Sequence, residues 1–172
     1  MRILVAYATH FGATKGIAEK IAESIRGEGL TVDLKSVDDI QALDDSYDAF
    51  VVGSAVHAGH WLKPAVEFID RNAQALGNRP VWLFSSGPIG EKYVHAPQPD
   101  PKEVVRFREL LKPRDHIVLA GAYDKASVNE RGNWLDRTVG RFIPEGDFRD
   151  WPAIEHWAVG IARQLQVIAV HA

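Results

Sequence analysis

Ile3-Leu4-Val5-Ala6-Tyr7-Ala8-Thr9-His10-Phe11-Gly12-Ala13-Thr14 passes from an unbroken apolar run into a loop of hydroxyls and glycine. Residues 3–7 lack the polar alternation of a half-exposed strand and read as a strand buried on both faces. Past the loop the apolar period changes. Ile17, Ile21 and Ile25, flanked by Ala18 and Ala22, predict an amphipathic helix over 13–27, with Gly27 and Gly29 to end it.

The same alternation recurs down the chain. Residues 31–36 set Val32 and Leu34 against Asp33 and Lys35, as an edge strand does, and 49–54 form another central run. A helix follows over 64–76, with Pro64 in its first turn and a stripe through Val66, Ile69, Ala73 and Leu76. Residues 80–85 read as the fourth strand and 116–122 as the fifth. Asp100-Pro101-Lys102-Glu103 between them reads as a capping box for a helix ending near Leu111. The last helix, from 150 to about 168, carries Trp151, Ile154, Ala158, Ile161 and Leu165 on one face. Right-handed crossovers then predict a five-stranded parallel sheet of order 2-1-3-4-5 between two helical layers, a doubly wound α/β/α sandwich. Residues 123–150 are too long for an ordinary loop and read as an insertion before the last helix.

Composition narrows the chemistry. The 172 residues suit a single domain spanning 1–172, and the absence of cysteine excludes disulfides, thiolate metal ligands and redox-active thiols. A net charge of −3 gives no drive onto nucleic acid. No apolar run is membrane-spanning and residues 1–7 lack a signal peptide's pattern, so a cytoplasmic protein is expected.

In a doubly wound sheet the ligand sits beyond the carboxyl ends of the strands, where strand order reverses. Three loops converge there. The first, Thr9 to Thr14, offers hydroxyls, Gly12 and free N–H groups at a helix start, which suits a phosphate; an ordinary Thr-capped helix start uses the same residues. The P-loop and GxGxxG spellings are absent, and no aspartate ends the third strand as a phospho-acceptor would require. The second loop, Ala55-Val56-His57-Ala58-Gly59-His60-Trp61, places a small, permissive pair between rings that can cover a flat ligand. His57 and His60 lack an obvious third ligand, so no metal is expected. The third loop, Ser85-Ser86-Gly87-Pro88-Ile89-Gly90, supplies N–H and O–H donors, or is a plain Ser-Gly-Pro connection. A phosphate nest, a flat slot and a polar rim together fit flavin mononucleotide (FMN).

At these residues the chain resembles the flavodoxin superfamily. Thr9-x-x-Gly12-x-Thr14 is similar to its phosphate loop, Tyr47 to Ala55 to the strand leading into its flavin-covering loop, and Ser85-Ser86-Gly87 to its third loop. The resemblance covers nearly the whole chain and implies a flavodoxin-like fold with FMN as cofactor. A closer likeness is to the flavodoxin-domain group that includes menaquinone-dependent protoporphyrinogen IX dehydrogenase. It rests on Gly59-His60, Ala120-Gly121-Ala122, the Trp-Leu-Asp-Arg segment at 134–137, and Gly146-Asp147-Phe148-Arg149-Asp150-Trp151. Carried over, Thr9, His10, Phe11, Gly12, Ala13 and Thr14 cradle the phosphate. Val56 to Trp61 lie along the isoalloxazine with the Ala58-Gly59 peptide near N5, and Ser85 to Gly90 meet the pyrimidine edge. His57, His60 and His95 are the candidates for proton handling. Phe11 departs from the commonest loop, which has a third hydroxyl there.

Two function classes follow from the resemblance. One is an FMN-dependent oxidoreductase linking a protoporphyrinogen-type donor to a quinone; the other is a non-enzymatic electron-transfer protein serving a redox partner. The chain is less acidic than short-chain carriers, which favours the first. Within the insertion, residues 132–143 combine Trp134, Leu135, Phe142 and Ile143 with Arg137 and Arg141. That face either packs on the domain or meets substrate or the inner membrane surface.

Overall fold

Alternate residues of the first strand, β1 (Arg2–Ala8), are shared between two hydrophobic cores in the computed structural model, which describes residues 1–87, 99–126 and 145–170. Ile3, Val5 and Tyr7 face one core, while Leu4, Ala6 and Ala8 face the other. This is why the run shows no polar alternation. A strand with helices on both faces has no wet side.

Around β1 the sheet is built from β2 (Thr31–Ser36), β3 (Ala49–His57), β5 (Val81–Ser86) and β6 (Asp115–Leu119), all parallel, in the order β2-β1-β3-β5-β6. That is the expected 2-1-3-4-5 arrangement with one addition, β4 (His60–Trp61), which folds back on β3 as an antiparallel hairpin. Helices α1 (Ala13–Gly27) and α4 (Trp151–Val170) cover one face, joined through Ile17, Ile21, Ile25, Ile154, Ile161 and Leu165. Helices α2 (Lys63–Gly77) and α3 (Lys102–Leu111) cover the other through Phe68, Ile69, Leu76, Val104 and Phe107. The predicted stripe of α2 is rotated slightly. Phe68 is fully buried and Val66 and Ala73 only partly, and the helix kinks at Asn72, whose side chain donates to the Phe68 carbonyl at 2.8 Å. Among the described residues no helix is long and apolar enough to cross a membrane.

Two local expectations are corrected. The predicted fifth strand over 116–122 is two strands. β6 ends at Leu119, opposite Ser86 at the end of β5, and beyond that point the sheet has no partner left to offer. The chain bends at Ala120-Gly121, and β7 (Ala122–Tyr123) pairs instead with β8 (Gly146–Asp147) as an antiparallel ribbon. This ribbon ties the two ends of the 123–150 insertion together. Residues 132–143 lie outside the described residues.

The second correction concerns Asp100 and Glu103. The position before α3 is Pro101 and no side chain caps the helix. Both carboxylates are drawn away by partners distant in sequence, in the arrangement described next.

Candidate cofactor site

The sheet register decides which loops meet. Ala8 stands opposite Ser54, Ser54 opposite Ser85, and Ala55 opposite Ser86, so β1, β3 and β5 end on one edge. The order reverses between β1 and β3, as in other sheets of this type where ligands bind.

The first loop leads into α1. Thr9 Oγ1 accepts the Gly12 N–H at 3.0 Å, which curls the loop under the helix start. Gly12 has φ of 95°, a left-handed conformation that glycine reaches without a Cβ penalty. No side chain caps α1 and no acid lies in its first turn. The first helical bond runs from Gly16 N–H to Gly12 C=O at 3.2 Å, so the N–H groups of Ala13, Thr14 and Lys15 have no acceptor within the helix. They and the positive end of the helix dipole could hold an anion by neutral donors. Thr14 is buried beneath the turn. The His10 and Phe11 rings stack on each other, centroids 4.2 Å apart, leaving the loop backbone to face the site.

The second loop is tighter than an open connection. His57 pairs with His60, and the two residues between them, Ala58 (φ 50°) and Gly59 (φ 81°), are both left-handed. Two such residues make the hairpin turn whose twist matches the strands it joins; Ala58 bears a steric cost of roughly 1–2 kcal/mol there. External contacts hold it. The Gly59 carbonyl accepts the Lys102 N–H at 3.2 Å. Glu103 Oε2 accepts the Trp61 N–H at 2.9 Å and Oε1 bonds His60 Nδ1 at 2.6 Å. Burial pushes the Glu103 carboxyl up, but these bonds together outweigh it and hold it below the usual carboxylate range. His57, Ala58, Gly59 and His60 are exposed, and the tip presents only a methyl group and a glycine.

Trp61 is placed differently from expectation. Its ring is 4% exposed and packs edge-on against Phe107 with centroids 5.4 Å apart, so it has no free face to cover a ligand. Its Nε1–H donates to Ser85 Oγ at 2.8 Å. Ser85 is also fully buried and lies 2.8 Å from His116 Nε2, while His116 Nδ1 lies 3.0 Å from Asp100 Oδ1 and Asp100 Oδ2 pairs with Arg108 at 2.7 Å. The His116 side chain is 1% exposed, and burial above all holds its pKa below the usual histidine value. Ser85 and Trp61 therefore join the floor beneath the site, not its rim.

Of the third loop, Ser86 is nearly buried. Gly87 (φ 124°) donates its N–H to Leu119 C=O at 2.9 Å and lies against Val56, so the second and third loops touch. Pro88, Ile89, Gly90 and His95 lie outside the described residues. Among the described residues no group of three or more His, Asp or Glu is placed to hold a metal, and His60 is engaged by Glu103.

The donor set fits FMN. An uncapped, acid-free helix start with a threonine below it suits a phosphate, and the exposed hairpin tip of Ala58 and Gly59, with open space at Gly59, suits the close approach of a flat ring system. Sequence reasoning passed over the supports of this site: Glu103, Asp100, His116 and Arg149. Arg149, 17% exposed, donates to the Ala13 carbonyl at the first turn of α1 at 3.3 Å. Its place in the Gly146–Trp151 signature was the one signal in the sequence that pointed to it.

Comparison with known proteins agrees with this geometry. The profile of the family described as "Flavodoxin domain" matches residues 4–147. The protoporphyrinogen IX dehydrogenase [quinone] of Escherichia coli is 25% identical, over 94% of this chain and 95% of that protein. An archaeal flavodoxin structure superposes with a TM-score of 0.62 at 19% identity, covering 96% of this chain and 99% of that one. The solution structure of two-electron reduced Megasphaera elsdenii flavodoxin gives 0.56 at 17% identity, covering 81% and 98%.

Proposed function

The chain belongs to the flavodoxin-domain family and takes FMN as its cofactor, and from that premise we propose a quinone-linked dehydrogenase acting on a donor of protoporphyrinogen type. The observation that carries this reading is the likeness to the Escherichia coli enzyme, which extends across 94% of this chain and 95% of that protein and so spans the 123–150 insertion. The modest charge of −3 points the same way, since a carrier that docks on many partners through acidity would be more negative.

In this reading Thr9, Thr14 and the N–H groups from Ala13 to Lys15 hold the phosphate by neutral donors. The Ala58-Gly59 hairpin, Ser86 and Gly87 line the ring system, with the Trp61–Ser85–His116 floor fixing their spacing. FMN, when bound, supplies two-electron redox chemistry that a chain without thiols lacks. The protein contributes binding, orientation and access. His60 is tied to Glu103, and His57 stands exposed opposite it on the hairpin.

The test is steady-state oxidation of protoporphyrinogen IX by the FMN-loaded protein with a soluble quinone as acceptor. Turnover with these components alone is the expected result. Turnover that requires an added reductase and a partner enzyme would identify an electron carrier. A protein that stays colourless after incubation with FMN would remove both.

A further inference from the structure

We propose that Arg149 is a positioning residue for the phosphate loop, locking the first turn of α1 to the β7–β8 ribbon. The inference rests on the reading that α1's start holds the FMN phosphate, and extends it to a residue 136 positions away in sequence.

The Arg149 guanidinium is committed on every side. Nε and Nη2 fork onto the two oxygens of Asp147, at 2.7 and 2.6 Å. Its Nη1 reaches across to the Ala13 carbonyl at 3.3 Å. The plane lies over the Trp151 ring, 4.4 Å from its centroid. The side-chain bond from Arg149 holds the Asp147 carboxyl below its usual range, and the carboxylate lies against the guanidinium as its counter-charge.

Helix α1 is shaped to receive this group. Ala13 and Gly16 lie on the same side of the helix one turn apart. A Cβ on Gly16 would overlap Arg149 Nη1, with the Trp151 ring next behind it. A bare hydrogen at residue 16 is therefore what lets the guanidinium lie flat on the first turn. On the ribbon side, Arg149 N–H bonds Asp147 Oδ1 at 3.1 Å and the neighbouring Phe148 N–H bonds Gly121 C=O at 3.1 Å. The guanidinium thus bridges the β7–β8 ribbon and the turn that carries Ala13, Thr14 and Lys15.

This arrangement argues against Arg149 as a direct phosphate ligand. Its charge is neutralised by Asp147, and its contact with the loop is to a carbonyl. A planar fork supplies the geometry; lysine's point charge does not. Linkage then requires reciprocity: if the ribbon strengthens FMN binding, FMN must stiffen the ribbon by the same factor.

The experiment measures FMN affinity by flavin fluorescence quenching for the full chain and its Arg149→Met, Arg149→Lys and Gly16→Ala variants. Hydrogen exchange at the Phe148 amide is followed with and without FMN. Arg149→Met is expected to weaken binding about 10-fold, Arg149→Lys to restore little of it, and Gly16→Ala to weaken it comparably while leaving every donor of the loop in place. In the unsubstituted protein FMN slows exchange at Phe148; in Arg149→Met that slowing is lost. Unchanged affinity in Arg149→Met or Gly16→Ala, or full rescue by lysine, would overturn the proposal. If the unsubstituted protein binds no FMN, the functional reading itself fails, and that outcome is distinct from equal binding by all variants. Should Arg149→Met not fold, Gly16→Ala and the exchange pattern still decide the matter.

Discussion

Ser85 Oγ and His116 Nε2 lie 2.8 Å apart, and the bond between them satisfies both groups when the serine donates. The Trp61 indole N–H can only donate, so Ser85 accepts from it at 2.8 Å and turns its own proton to His116. Neutral His116 then carries its proton on Nδ1, facing Asp100. Every group in the row is satisfied in this one order. Protonating Nε2 would aim two donors at a fully buried serine and leave the serine's own O–H without an acceptor.

The first prediction concerns acid. Burial first, opposed by Asp100 and reinforced by Arg108, places the folded His116 pKa below its ordinary 6.5. In the window between the two values the unfolded chain binds more protons. This contribution to stability is therefore complete above pH 6.5 and is lost as pH falls through the folded pKa. Urea midpoints should fall between about pH 7.5 and about pH 5.5 in the native protein, and fall less in His116→Gln. At the higher pH that variant should be less stable by about 1–3 kcal/mol, because it disturbs a buried network. Identical pH slopes would show that His116 does not titrate in this window.

Trp61→Phe retains the edge-on packing with Phe107 and removes only the N–H that reaches Ser85. A loss of about 1 kcal/mol in denaturant unfolding is expected, against about 3–5 kcal/mol for Trp61→Ala, which also empties the space. Comparable losses in the two variants would mean that the hydrogen bond, not the ring volume, dominates.

Glu103→Gln still offers an oxygen to the Trp61 N–H but loses the charge that holds His60. The hairpin tip should loosen. FMN affinity is expected to drop by a factor of about 2–10, from the loss of one charge-assisted bond. Titration of the variant with FMN reads this directly. An affinity equal to the native one would separate the hairpin clamp from cofactor binding.

Thr9→Ala removes the acceptor that Gly12 N–H uses and one hydroxyl of the phosphate site, and should weaken FMN by about 0.5–1.5 kcal/mol. Gly12→Ala meets open space but must adopt a φ of 95°, which costs of order 1–3 kcal/mol. Both should raise the FMN dissociation constant, and an unchanged constant in both would move the phosphate elsewhere.

The parts of the fold that are legible in the sequence are those set by local period and by chirality. Ile17, Ile21 and Ile25 repeat every turn, and Ile3 to Tyr7 is apolar on both faces, so each element declares itself from its own neighbours. The strand order then follows from the handedness of crossovers. What stays hidden depends on partners far along the chain. Asp100 and Glu103 have the spelling of a helix cap, and nothing nearby shows that His116 and Trp61 will claim them instead. A tryptophan beside a glycine hairpin reads equally well as a ring cover or as core. Its partner Ser85, 24 residues on, decides for the core. The split of the fifth strand at Ala120-Gly121 reflects the length of its neighbour β5, which no local pattern encodes.

The supports of the site also impose an order of assembly. The loop that starts at Thr9 is synthesised early, yet the carboxylate holding the hairpin follows Trp61 by 42 residues, and the guanidinium resting on Ala13 comes 136 residues after it. A ribosome-bound chain that has not yet released Arg149 has the donors for a phosphate but not the brace that aligns them. Emerging chains of increasing length should therefore quench added FMN more strongly once Arg149 is free than before it.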